Sequence, residues 1–181
     1  AAGDEIEVVK YNTFSVGDSV PASGGTFTGS INASAGLTTP AGHVIQTVHG
    51  HYNTQVSTSA GGAVETGLAV SITPKFSSSK ILVTVSQNIQ TSGSSYCQIA
   101  LRRGTIGSNT LLSVMVDPEG YNNSSNEEIN QIPFSWLDSP STTSATRYFV
   151  SMERLSGTTI YAQTSSTGNS VSTMVLQEIA G

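Results

Sequence analysis

Charge is scarce in this chain. Asp, Glu, Lys and Arg together make up only 10% of the 181 residues, while Ser, Thr and Gly dominate. That balance suits short strands joined by tight turns better than surface helices built from Glu, Lys and Ala. No segment sustains a 3.6-residue apolar period, so helical layers are not expected. Seven Lys plus Arg stand against 12 Asp plus Glu, a net charge of −5. The cations are spread along the sequence with no basic stripe to track phosphates, which argues against nucleic acid as a partner. There is one cysteine, Cys97, and therefore no disulfide framework of the kind that staples small secreted recognition modules. Cys97 sits in the alternating run SYCQIALRR, which assigns it to a buried, unpaired thiol rather than a nucleophile. No apolar run approaches the ~18 to 20 residues that span a bilayer, and no signal peptide opens the sequence, so a soluble chain without membrane insertion is expected. Ala1 is followed at once by strand-like GDEIEVVKY, and the expectation is that the sequence starts inside a longer polypeptide.

What the chain has is alternation. Ten segments read as strands: HVIQTVH, YNTQVST, LAVSITP, SKILVTVSQNI, SYCQIALRR, TLLSVMVD, IPFSWLDS, TRYFVSMER, TTIYAQTSS and SVSTMVLQEIA. In KILVTVSQNI, Ile81, Val83, Val85 and Ile89 share one face and Thr84, Ser86 and Asn88 the other. Ile132, Phe134 and Trp136 form one set, and Tyr148, Val150 and Met152 another; both sets are assigned to the core. Ten strands in this length is sandwich density. The fold class expected is all-β, a jelly-roll-like antiparallel β-sandwich head over 43–181, preceded by a Gly/Ser/Thr-rich connector over 23–42. Residues 1–22 read as an N-terminal strand segment or the end of an upstream repeat. Phe27, Ile31 and Leu37 recur through the connector, too few to make a core alone but enough to pack on copies of themselves about a threefold axis. The segments SAGG and GGAVETG read as turns, having neither the Lys nor the following helix of a phosphate cradle.

Candidate sites are few. All three histidines fall in HVIQTVHGH: His43, His49 and His51. In an extended strand His49 and His51 project the same way from Cα atoms about 6.5 Å apart, so both rings can reach one ion. Two ligands from one chain are too few for a tight site. Gly50 between them offers the contrary reading, a bend that turns both rings out to solvent. The loop DPEGYNNSSNEEIN, 117–130, holds Asp117, Glu119, Glu127 and Glu128, but a Ser/Asn-rich loop supplies solvent where a glycosidase pair needs a dry acid, and it lacks the spacing of an EF-hand. Within it Tyr121, Asn122 and Asn123 suit a glycan, because an aromatic face covers sugar C–H groups while amides satisfy hydroxyls. Tyr96, just after the turn QTSGSS, is placed at the rim of a loop end beside them.

Three stretches, GGTFTGSI, SITPKFSSSKILVTVS and FSWLDSPSTTSATRYFVSM, followed by the terminal VLQEIAG, together resemble the distal domain of bacteriophage tail fibres and related virion appendage proteins. The resemblance covers residues 24–181. It implies a homotrimer, a jelly-roll head facing the host, attachment to other virion proteins through the N-terminal side, and an extracellular place on the virion as a tail appendage. It brings no catalytic signature. Three copies of His49 and His51 at the threefold axis would present six imidazoles, a nitrogen set that suits Fe or Ni, and some phage fibres use H-x-H pairs in this way. The function expected is a non-enzymatic fibre head that binds a host surface glycan or outer-membrane component. The alternatives are a trimeric capsid decoration or cement protein and a fibre-borne glycan depolymerase.

Overall fold

A computed structural model describes residues 40–91, 95–117, 128–164 and 170–181, with 128–130 through the backbone alone. The segment 1–22 and the connector to residue 39, with Phe27, Ile31 and Leu37, lie outside the described residues, as do Tyr121, Asn122 and Asn123. Among the described residues the elements are β1 (Val44–Tyr52), β2 (Val56–Thr58), β3 (Val64–Ile72), β4 (Lys80–Thr91), β5 (Tyr96–Thr105), β6 (Ser108–Val116), β7 (Glu128–Asp138), β8 (Thr146–Ser156), β9 (Ile160–Ala162) and β10 (Ser172–Ile179). Each of the ten segments expected from alternation meets one of these strands.

The strands form two antiparallel sheets. One runs β1-β10-β4-β7, and the other β3-β8-β5-β6. Numbering only the eight long strands in chain order, the sheets read 1-8-3-6 and 2-7-4-5, which is the double Greek key of a jelly roll. The short β9 takes over the margin of β4 at Ile89–Thr91, beyond the Thr173–Ser86 pair that ends its pairing with β10, and β2 extends the sheet from β9.

Alternation decides what lies between the sheets. Ile81, Val83, Val85, Met174 and Leu176 face inward from the first sheet and meet Leu68, Ile72, Ile99, Leu101, Tyr148, Val150 and Met152 from the second, all of them buried. Burying one such side chain contributes ~1.5 to 3 kcal/mol, so this layer is the main source of stability. Ile132, Phe134 and Trp136 do point together, opposite Gln87, Val85 and Val83. Trp136 is nevertheless 37% exposed, which corrects its assignment to the core. The reason is position: among the described strands β7 is bonded only to β4, so Trp136, stacked on Phe134 at 6.5 Å, stands on an edge strand with no further strand to cover it. The turn reading of GGAVETG is also corrected, since Val64–Gly67 opens β3. A register shift between Glu65 and Ala69 accommodates Gly67, whose φ of +89° and contact with the Tyr52 ring leave no room for a Cβ.

The core is not wholly apolar. Gln87, fully buried on β4, accepts from Thr66 Oγ1 at 3.1 Å and donates to Ser172 Oγ at 2.9 Å, which ties β3, β4 and β10 together. Asn88 extends the network, its backbone N–H donating to Ser172 Oγ and its side-chain oxygen accepting from the Thr164 N–H at 3.1 Å. With the Gln163 amide oxygen turned toward Gln87 Nε2 and Ser172 Oγ, its nitrogen faces the Thr66 carbonyl at 2.9 Å. A network satisfied in this way specifies one arrangement of the strands that carry it.

The sandwich has two distinct ends. Strands β3, β5, β7 and β10 finish at one of them, and the chain enters there: Gly42 N donates to the Ala180 carbonyl and Ala180 N to the His43 carbonyl, each at 2.8 Å. At the opposite, far end β1, β4, β6 and β8 finish and β3, β5, β7 and β10 begin.

Candidate functional site

The far end collects the attachment points of the segments singled out for recognition. Tyr96 is the first residue of β5 and half-buried. Asp117 follows β6 directly, exposed, with its carboxylate accepting from Gln98 Nε2 at 3.4 Å, and β7 resumes at Glu128. Thr164 and Ser170, on either side of residues 165–169, which lie outside the described residues, stand at the same end. Tyr96 therefore stands where the loop 117–130 is rooted, while Tyr121, Asn122 and Asn123 themselves fall outside the described residues.

Beneath these roots the two sheets part between β6 and β7 and leave an apolar cavity of about 330 Å³, lined by Ile89, Cys97, Val116, Ile132 and Pro133 among others. Cys97 is buried as expected, and burial pushes its thiol up to about 11. At neutral pH it is a protonated, apolar wall group rather than a nucleophile.

His49 and His51 lie on the outer face of β1, exposed, with ring centroids 6.1 Å apart and planes inclined by 26°. Gly50 does not bend the strand, whose pairing with β10 is unbroken from Gln46 to Tyr52. A Cβ at Gly50 would meet the Val70 side chain, so glycine here lets β1 pack closely on β3. The two rings stand side by side as two ligands. Among the described residues no three His, Cys, Asp or Glu side chains gather into a set that could hold an ion, so a full coordination sphere would require further chains.

The outer faces of the two sheets differ in charge. Around the histidines, β1, β10, β4 and β7 present Thr47, Gln177, Leu82 and Leu137, then Val175, Thr84 and Ser135, with no carboxylate in either row. The outer face of the other sheet carries Glu65, Arg102, Arg147 and Glu153. Arg147 donates to both oxygens of Glu65, at 2.9 and 2.6 Å, and lies over the Phe149 ring at 5.0 Å. Hydrogen bonds from Arg147 hold the Glu65 carboxyl below its usual range.

At the entry end, two carboxylates are held deep. Asp138 accepts from the Tyr148 hydroxyl at 2.7 Å and from Arg103 Nη1 at 2.6 Å. Burial, joined by the Asp138 carboxylate, pushes the Tyr148 hydroxyl far above its ordinary range, so it stays a donor. Glu178, fully buried, accepts from Gln46 and from the N–H groups of Lys75 and Phe76, which fastens the β3–β4 connection to β10. Burial alone would raise its carboxyl; these hydrogen bonds, with the Ser79 hydroxyl beside them, outweigh it and lower it. A carboxyl depressed by folding stabilises fully above its unfolded-state pKa, and that contribution fades as pH falls through the depressed value. The stability of the chain is therefore expected to fall below about pH 4.5, near the unfolded carboxyl range. Glu178→Gln should be less stable at pH 7 and respond less to acid; denaturant midpoints between pH 7 and 2.5 check this, and parallel curves for the two proteins would exclude Glu178 as the source.

The sequence did not reveal one cluster. Arg102 and Arg103 pair across the ladder with Phe149 and Tyr148, next to Arg147, so three of the seven basic residues converge at the entry end although they look scattered in the sequence. The adjacent pair in RRG was the available signal.

No protein-family description matches this chain, and no curated protein matches it either. Among solved structures, it is similar to the VP2 subviral particle of infectious bursal disease virus at 12% identity and a TM-score of 0.47, covering 76% of this chain and 34% of that one. T=1 particles derived from the same virus match at 10% identity and 0.44, covering 84% and 40%. The chain thus spans between a third and two-fifths of the length of these proteins.

Proposed function

We propose that this chain is a virion structural protein that acts by binding: the head of a homotrimeric tail fibre, which recognises a host surface glycan with its far end. The observation that carries the reading is the polarity of the jelly roll. Gly42 and His43 bond Ala180 at one end, and the roots of the 117–130 loop, Tyr96, Thr164 and Ser170 lie together at the opposite end. The resemblance of four sequence stretches to phage fibre heads supports the same reading. Trimer formation is supported by the connector residues Phe27, Ile31 and Leu37 and by the carboxylate-free rows around His49 and His51, since charge depletion marks the centre of protein interfaces. In such a trimer His49 and His51 would offer two imidazoles per chain to Fe or Ni. Two measurements test the proposal. Sedimentation of residues 1–181 is expected to give three chains per particle, and a stable monomer at micromolar concentration would contradict it. Antibody labelling of virions is expected to mark the tail tip; labelling spread over the capsid would replace the fibre with a decoration protein.

A further inference from the structure

The entry end carries a second concavity, unlike the far cavity in chemistry. A groove of about 390 Å³ lies between the β5–β6 turn and the connection from β7 to β8, lined by Arg103, Arg147, Asn109, Thr110 and Thr142 among others. Its walls are hydroxyls, an amide and guanidinium groups. We propose that this groove binds a carboxylate-bearing saccharide, a uronic acid unit of an acidic polysaccharide, at a site separate from the far end. The proposal stands independently of the far-end reading.

The donors are fixed in advance. Arg103 is held by Asp138 through one N–H of its five, and among the described residues no other acceptor meets the remaining four. Arg147 is held in a fork by Glu65 and also donates to the Gly104 carbonyl at 3.1 Å. Arg102 donates to Asn109 Oδ1 at 3.0 Å, while Asn109 Nδ2 donates to the Thr105 carbonyl at 3.1 Å, which sets the amide plane. Ordering long side chains before the ligand arrives removes part of the cost of binding.

The charge selects the ligand class. Arg103 and Arg147 line the groove, each beside its own carboxylate, and Arg102 stands behind the lining residue Asn109; the three guanidiniums against Asp138 and Glu65 leave one net positive charge around the groove, in a chain whose net charge is −5. That matches one singly charged carboxylate, which a guanidinium recognises in its own plane. A dianionic phosphate would be under-compensated. The hydroxyls of Thr110 and Thr142 and the Asn109 amide suit ring hydroxyls, a polar set that neither a plain anion nor an apolar ligand would use.

The test titrates the full-length chain with trigalacturonate and with maltotriose as the neutral counterpart, by calorimetry and amide chemical shifts. Trigalacturonate is expected to bind near millimolar and maltotriose at least ~10-fold more weakly. Thr110 is an exposed position on β6, so Thr110→Glu places a competing carboxylate in the groove without touching the core. It should weaken trigalacturonate binding at least ~10-fold, whereas Thr110→Lys should leave it equal or tighter. Both variants should unfold at the parent temperature, and the opposite response of the two keeps the result readable if either one loses some stability. Equal binding of the two sugars, no binding of trigalacturonate at 10-fold above millimolar, or shifts confined to the far end would overturn the proposal. Displacement by equimolar sodium acetate would also overturn it, as a site for an adventitious anion only.

Discussion

Replacing Asp138 with Ala is expected to cost about 3 kcal/mol of folding stability, near the lower bound for breaking a buried ion pair. Asp138 is only 8% exposed, and its Oδ2 is the shared acceptor for Tyr148, which is fully buried, and for Arg103. Deleting it strands the Tyr148 hydroxyl in the core, a desolvation cost of about 1 to 3 kcal/mol. Arg103 loses its counter-charge as well, but its side chain is 27% exposed and water recovers part of that loss. The effect is a sizeable share of the ~5 to 15 kcal/mol by which domains are stable. Asp138→Asn keeps an acceptor for Tyr148 and should lose about half as much. Urea titrations at a single chain concentration check both, with the midpoint falling and the slope unchanged. A loss under ~0.5 kcal/mol in the Ala variant would show that the triad does not hold this end of the sandwich together.

Much of the fold was legible because a two-residue period writes the inward face directly into the sequence. Ile81, Val83 and Val85, and likewise Tyr148, Val150 and Met152, were assigned from alternation and are buried where expected. The same period says nothing about where a strand stands in its sheet. Trp136 has the correct face and the wrong degree of burial for that reason: only the pairing shows that β7 is an edge. Composition misled at GGAVETG, where Gly67 serves a bulge inside β3 rather than a turn. Thr66, Gln87 and Ser172 share the inward face with Leu68, Val85 and Met174 by the same alternation, but the period does not supply the cross-strand partners that satisfy them there.

For the candidate sites, local spacing worked and long-range assembly did not. The i, i+2 spacing of His49 and His51 fixed their common face, and the unbroken register of β1 leaves both rings outward together. That Tyr96 and the roots of the 117–130 loop share one end follows from strand direction, which the turn signal ahead of Tyr96 already suggested. Of the guanidinium cluster only the adjacent pair Arg102–Arg103 was legible, because Arg103 and Arg147 are joined only through the pairing of β5 with β8, and their carboxylate partners come from β7 and β3.

The reading of this chain as a host-recognition head rests on the far end, and exchanging the loop between Asp117 and Glu128 for a short Gly/Ser turn is expected to have the largest functional effect. Both anchoring strands are paired up to their ends, β6 with β5 and β7 with β4, so the sandwich should tolerate the exchange. A glycan contact is weak singly, and on the proposed trimeric fibre three heads would multiply it by avidity, so weakening every copy together should lower attachment by on the order of 100-fold. Tyr121→Ala alone should act in the same direction and less strongly, because the Asn122 and Asn123 amides would still be present. The decisive measurement is adsorption of virions carrying the loop-exchanged chain to host cells, with sedimentation confirming that the exchanged protein keeps the parent's assembly state. The account predicts intact assembly and virions that no longer attach at the parental rate. Unchanged attachment by a correctly assembled, loop-exchanged fibre would contradict it.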